Sequence, residues 1–296
     1  MKTEGTLYRP PVEAKTFLLQ VTAGCTHNAC RFCTMYRDKN FHMIDDDILR
    51  YNLQEEKRIC DIYERPHKRI FLMDGDVFSL SADKLEEKIK LIKRYMPAIE
   101  TFSMYAAVRS IKAKSDEDLI RLKELGVNDL YIGYETGLDD VLQSMNKGSS
   151  LKDSIEQAER LNKAGIHHRA LIILGLAGKG RGEENALATA ELINTIKPDM
   201  TRLATLTVFP GSELEEDIKA GRFVEAGEKE ILTEEKLIIE NINLPEMHLW
   251  ASHILNSTPL AGYIGKDREW MLQRLERSIN EMDEEQFKKT FKRIHL

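Results

Sequence analysis

The chain has 296 residues, 42% hydrophobic and 31% charged, enough apolar material for one large α/β domain or two small ones. A net charge of −6 argues against a polynucleotide partner, which usually meets a basic stripe that releases counterions. No apolar run approaches the ~20 residues that cross a bilayer and no apolar signal segment follows Met1, so the expectation is a cytoplasmic protein without membrane partners.

Residues 1–15 read as an irregular lead-in, and Phe17 to Val21 as an apolar strand ending at a Gly24 turn. Three of the four cysteines follow within nine residues: Cys25, Cys30 and Cys33. Closely spaced thiols on a loop turn onto one metal centre, and Cys thiolates are the usual ligands of iron–sulfur clusters. Three ligands keep one position open for chemistry, whereas a closed structural site takes four. A zinc site completed by His27, in a structural or interaction protein, is the competing reading. A disulfide is disfavoured, because three clustered cysteines cannot all pair.

Asp45, Asp46 and Asp47 open a helix bounded by Pro66, within which Cys60 reads as a buried structural thiol. Arg69 to Met73 is a strand ending abruptly in Asp74-Gly75-Asp76, and Ser81 to Met96 a helix with Leu85, Ile89 and Ile92 on one face. Phe102 to Val108 is a third strand. Ser115 with Asp118 caps the next helix, Gly126 stops it, and Leu130 to Glu135 is strand four. A helix opened by Ser150 precedes strand five, Arg169 to Gly175. A helix from Glu183 to Ile196 precedes strand six, Leu203 to Val208. Six alternations with near-continuous apolar strands mark an α/β fold with a parallel sheet covered by helices. The periodicity leaves an open doubly wound sheet and a partial barrel equally possible. Residues 216–296 break the rhythm, with helices around Thr233–Glu240 and Asp267–Met282 on either side of an apolar stretch from Leu249 to Tyr263.

A strand followed by Cys-x4-Cys-x2-Cys, with Phe32 just before the last cysteine, resembles the cluster loop of the radical SAM superfamily. The commoner family spacing has three residues between the first two cysteines, so this chain departs by one. The resemblance covers roughly residues 15–215. It implies a radical SAM-type (β/α)6 partial TIM barrel over residues 1–215; an open barrel needs something to close its side, and the helical C-terminal extension, 216–296, is the candidate for that and for part of the substrate site. It also implies a [4Fe–4S] cluster on Cys25, Cys30 and Cys33, with S-adenosylmethionine (SAM) on the fourth iron. Reduction by a donor such as flavodoxin or ferredoxin, under anaerobic conditions, then cleaves SAM to a 5′-deoxyadenosyl radical.

Further roles follow from the resemblance. Asp74, Gly75 and Asp76 resemble the Gly-Gly-Glu segment that holds the SAM amino group; an ordinary Asp-Gly turn is the competing reading. Glu135, in Gly133-Tyr134-Glu135-Thr136-Gly137, matches the strand-end residue that binds the ribose, with a solvent-facing acid as its rival. Arg169 is the partner implied for the SAM carboxylate, unless it faces outward from the strand start. Gly175 belongs to a segment similar to the Gly-x-Ile-x-Gly beside the adenine, Val208 offers backbone groups to that base, and Phe32 sits against its face unless it is a core aromatic. Apart from the resemblance, Tyr134, Trp250, His253, Asn256 and Tyr263 are the candidate substrate contacts, although a lone His in an apolar helix is usually structural. No catalytic side chain is assigned. Beyond the motif only Cys60 remains, so no auxiliary cluster is expected, which argues against sulfur insertion. The chain looks like small stand-alone radical SAM proteins acting on a small molecule, as a lyase or an oxidoreductase. The specific expectation is a queuine lyase of queuine salvage, releasing queuine from queuosine or queuosine 5′-phosphate, a modified nucleoside or nucleotide. The alternative is an oxygen-independent coproporphyrinogen-oxidase-like enzyme.

Overall fold

The structure, a computed structural model, describes residues 1–291 and 293. The chain divides into two compact units. Met1–Asn28, Met35–Ile132 and Glu159–His168 form the first, and Ala29–Thr34, Gly133–Ala158 and Arg169–Leu296 the second.

The first unit holds β1 (Phe17–Gln20), β2 (Thr22–Ala23), β3 (His42–Met43), α1 (Asp46–Tyr63), β4 (Arg69–Met73) and α2 (Ala82–Tyr95). It continues with β5 (Thr101–Ala106), α3 (Val108–Lys112), α4 (Asp116–Glu124) and most of β6 (Val127–Glu135). Strands β1, β4, β5 and β6 pair in parallel, with Phe17 opposite Ile70, Ile70 opposite Phe102 and Met104 opposite Leu130. Ile70 to Met73 are all buried, as a parallel strand covered on both faces requires. Ser81 caps α2 by accepting from Lys84 N–H, and Leu85, Ile89 and Ile92 form its buried stripe. Ser115 and Asp118 make a reciprocal capping box on α4. Strand three stops at Ala106, short of the expected Val108, because Val108 already begins α3.

The second unit holds the end of β6, α5 (Asp139–Ser144), the first part of α6 (Leu151–Ala164), and β7 (His167–Leu174) from Arg169 on. It continues with α7 (Gly182–Ile196), β8 (Met200–Thr205), α8 (Glu213–Lys219), α9 (Glu228–Asn241), β9 (His248–Trp250), β10 (Ala261–Tyr263), α10 (Ile264–Glu281) and α11 (Glu284–Thr290). Strands β7, β8 and β9 are parallel, and β10 runs antiparallel to β9. The apolar stretch from Leu249 to Tyr263 is therefore two short strands joined by a loop, which corrects the helical reading of this part of the extension. Asn256 explains the loop. Its Oδ1 accepts from Thr205 N–H (2.9 Å) and Oγ1 (3.1 Å), and its Nδ2 donates to Leu203 O (3.0 Å) and Ala251 O (2.8 Å). One side chain thus ties the loop to the end of β8. Both units are α/β, each built on a mainly parallel sheet.

Candidate active site at the strand ends

In the first unit, Val21 N–H donates to Met73 O and Gly75 N–H to Gly24 O, each at 3.2 Å, so the loop after β1 runs beside the end of β4. A Cβ on Gly75 would stand 2.9 Å from Cys25 Cβ and 2.8 Å from the Tyr36 ring. Only glycine admits the cysteine this closely. Asp74 is buried, with Oδ2 accepting from Gly24 N–H (2.9 Å) and Lys39 Nζ (3.3 Å), while Oδ1 has no hydrogen-bond partner. Burial raises its pKa, against the opposing effects of the Gly24 N–H, the Lys39 charge and the Tyr36 hydroxyl. Asp76 is buried and heavily used: it accepts from Thr26 Oγ1 (2.6 Å), Ser110 Oγ (2.7 Å) and Ala107 N–H (3.1 Å), with the Arg109 guanidinium at 3.6 Å. This carboxylate braces the residue that follows Cys25.

In the second unit, the segment carrying Cys30, Phe32 and Cys33 is fastened by its backbone. Arg31 N–H donates to Met145 O (3.0 Å), Asn146 Nδ2 to Ala29 O (2.9 Å) and Leu214 N–H to Arg31 O (3.0 Å), while the Arg31 guanidinium reaches Ser144 O (3.1 Å) and pairs with Asp217. Phe32 is buried among Val141, Met145, Leu176, Leu206 and Leu214, and Cys30 and Cys33 pack against this cluster. Leu176 and Leu206 of this cluster lie just beyond the ends of β7 and β8.

Glu135 ends β6 with φ +67°, and Thr136 N–H donates to Tyr134 O at 2.9 Å. This is a γ-turn of the rare, strained hand for a residue with a side chain. The Glu135 carboxylate is buried and accepts from Lys147 Nζ at 2.5 Å, so it does not face solvent. Next to it the Thr136 hydroxyl bonds Asn185 Oδ1, Asn185 Nδ2 donates to Glu234 Oε1 (2.7 Å), and Gly175 N–H lies 3.2 and 3.1 Å from the two Glu234 oxygens. Burial pushes the Glu234 carboxyl up to about 8, despite the Asn185 and Gly175 donors. One buried chain of hydrogen bonds thus links the turns after β6 and β7.

The remaining residues fall in different places. Val208 is half-buried beyond the end of β8. Tyr134 is fully buried, and desolvation raises its phenol. The hydrogen-bonding capacity of Asn256 is filled by its four bonds, which make it a brace. His253 is buried in the β9–β10 loop, where burial and then the Arg202 charge lower its pKa to about 4. Trp250 is half-buried, with the Arg202 guanidinium 5.6 Å from its ring. Arg169 pairs with Met200, Met200 with His248, and His248 with Tyr263, so Arg169 and Tyr263 share one row at the N-terminal ends of β7 and β8. Gly175 lies about 20 Å further along β7. The register therefore does not bring Arg169 or Tyr263 to the strand-end group. Cys60, expected to be buried, is only half-buried.

Residues 19–193 match the family profile described as the radical SAM superfamily. The chain belongs to the radical SAM superfamily. Its cofactors are accordingly a [4Fe–4S] cluster and S-adenosylmethionine. This radical SAM chain is 32% identical over 163 residues to a haem chaperone, HemW, of Bacillus subtilis (strain 168), covering 52% of this chain and 41% of that protein. It is 24% identical over 197 residues to an uncharacterised methyltransferase of Pyrococcus horikoshii, covering 67% of this chain and 40% of the relative. The chain thus spans about 40% of the length of both relatives. Among solved structures, methylornithine synthase superposes with a TM-score of 0.54 at 17% identity, over 93% of this chain and 85% of that one. The fold is the partial TIM barrel of radical SAM proteins. Among the described residues, no helix is long and apolar enough to cross a membrane.

Several polar residues near the strand ends carry no signal in the sequence: Thr26, Lys39, Arg109 and Ser110 in the first unit, and Asn185 and Glu234 in the second. Each is an ordinary polar residue on a helix or loop, and no spacing distinguishes it from a solvated one. Lys147 had a weak signal, since it lies in the Met145-Asn146-Lys147-Gly148 passage that resembles the family's segment after strand four.

Proposed function

We propose that the chain is a radical SAM enzyme in which Cys25, Cys30 and Cys33 hold the cluster and the ends of the parallel strands bind SAM. The observation that carries this reading is the donor set, three cysteines within nine residues of one another. In the first unit Cys25 lies against Gly75 at the end of β4, and in the second Cys30 and Cys33 pack against the cluster around Phe32. All three are half-buried and free of disulfides, a donor set suited to an iron–sulfur cluster. Bound together, the two cofactors supply one-electron cleavage of SAM to methionine and a hydrogen-abstracting 5′-deoxyadenosyl radical.

The protein's own part is to bind, orient and exclude water. Asp74 Oδ1, buried and without a partner, is the proposed acceptor for the SAM ammonium group, and Gly75 leaves that group room beside Cys25. Glu135 is the proposed ribose acceptor, held in place by Lys147 and by its strained turn. Gly175 and Val208 present backbone groups to the adenine. Glu234, from the segment 216–296, fixes Gly175 of the 1–215 core, so this extension supports the cofactor site as well as the proposed substrate side. The reductant is proposed to be a small electron carrier of the flavodoxin or ferredoxin kind.

The specific reaction proposed is release of queuine from queuosine 5′-phosphate, on the chain's likeness to small stand-alone radical SAM proteins. Reconstituted protein with SAM, dithionite and queuosine 5′-phosphate is expected to yield queuine and 5′-deoxyadenosine together; absence of both removes this reaction. A tetrapyrrole ligand is the second reading, supported by the identity to a haem chaperone over 163 residues. Saturable haem binding, or turnover of coproporphyrinogen with no action on queuosine 5′-phosphate, would favour it.

A further inference from the structure

Cys60, the one cysteine outside the cluster motif, does not stand alone. Glu56 and Cys60 are four residues apart on α1 and so share a face of the helix. The helix ends at Glu64, whose left-handed conformation (φ +51°) turns the chain back, and Arg65 N–H closes that turn on Cys60 O at 3.2 Å. The reversal brings His67 over the same face. Its Nε2 lies 2.7 Å from Glu56 Oε1, and the ligand atoms of Glu56, Cys60 and His67 all lie within 4.8 Å of one another. The His67 ring stacks on Phe17 at 5.2 Å and 14°, which fixes its plane. All three residues are half-buried, so an ion can enter without unfolding the unit.

We infer that Glu56, Cys60 and His67 form a second metal site, for a divalent ion of the zinc type. The donor set decides the class. One sulfur, one imidazole nitrogen and one carboxylate oxygen suit Zn²⁺, which takes all three at about 2.0–2.3 Å and accepts a water as its fourth ligand. Magnesium and calcium want oxygen donors throughout. Binding exchanges the Cys60 S–H proton and the Glu56–His67 hydrogen bond for bonds to the metal. The site is separate from the cluster loop. Phe17 and Arg69 begin β1 and β4, whereas Cys25 and Gly75 lie beyond the far ends of these strands, so the two places are at opposite ends of the first unit's sheet. The nearby cations are already engaged, Lys57 with Asp61 (2.6 Å) and Arg58 with Glu55 (3.3 Å).

The test uses the full chain with its cluster assembled, dialysed against buffered zinc, with zinc and iron counted separately and zinc K-edge absorption reading the ligands. The expected result is one zinc per chain with a shell of one sulfur and three nitrogen or oxygen atoms. C60S and H67A should each weaken zinc binding by about 10- to 100-fold or more while keeping their iron. Absence of bound zinc, or zinc binding that these variants leave unchanged, overturns the site. A zinc shell containing three sulfurs places the ion on the cluster loop and also overturns it. Loss of iron with the one-sulfur zinc retained counts instead against the cluster assignment.

Discussion

Replacement of Asp76 by alanine removes an acceptor shared by the Thr26 and Ser110 hydroxyls and the Ala107 N–H. A hydrogen bond to a charged group contributes about 1.5–3 kcal/mol, and a buried donor left without a partner costs about 1–3 kcal/mol. Thr26 is exposed and can turn to water, so most of the loss comes from Ser110, which is buried, and from Ala107. Asp76→Ala should therefore lower stability by about 3–4 kcal/mol. Asp76→Asn should cost about 1 kcal/mol, because its carbonyl still accepts from Ala107 and its amide can donate to the Ser110 oxygen. The Asp76 charge also supports Lys114, whose ammonium is buried against Phe78 O and Leu80 O with its pKa lowered to about 8. The folded state thus sheds that proton before the unfolded chain does, and stability rises with pH from about 8 to 10.5. Without Asp76 the window should open at lower pH. Urea unfolding at several pH values measures all three quantities, and an alanine variant within about 0.5 kcal/mol of the parent would refute the bracing role.

Asn256→Ala should cost about 3 kcal/mol and Asn256→Asp at least as much, since the acid would oppose Leu203 O and Ala251 O; a substrate-contact role instead predicts thermal melts like the parent's. Glu234 is held near 8 in the folded state against an ordinary 4.5. Folding therefore takes up a proton, and stability falls as pH rises from about 4.5 to 8, by up to ~1.4 kcal/mol per pH unit. Glu234→Gln should remove that one proton's share of the slope, and an unchanged slope would show that the carboxyl ionises freely. Gly75→Ala would drive a methyl group to 2.9 Å from Cys25 Cβ, so reconstituted variant should hold less iron per chain than the parent; equal iron would mean that the close approach has no bearing on the cluster.

The six βα alternations were legible because parallel strands buried on both faces leave continuous apolar runs such as Ile70 to Met73. The cysteine loop was legible for a different reason: thiol spacing is a local property that needs no fold to be recognised. The strands β9 and β10, of three residues each, are too short to show a period, and they form because Asn256 holds their loop to β8. Arg169 had the right chemistry for a carboxylate, but strand register places it at the opposite end of β7 from Gly175. Glu234 was hidden because a charged residue on an amphipathic helix looks the same in sequence whether it meets solvent or a buried backbone N–H. The Met145–Lys147 passage could be matched to a family segment, yet its work emerges only in three dimensions. Met145 O and Asn146 anchor residues 29 and 31 of the cysteine loop, and Lys147 holds Glu135.

The account stands on Cys25, Cys30 and Cys33 holding a cluster that opens SAM. Anaerobic reconstitution of the parent and of the three single Cys→Ala variants, with iron, sulfide and 5′-deoxyadenosine measured on the same samples, tests this most directly. The parent should hold about four irons and four sulfides per chain and form 5′-deoxyadenosine on reduction, and each variant should lose both. A colourless parent with zinc on these cysteines, or a Cys30→Ala variant that keeps its iron and still cleaves SAM, would contradict the account.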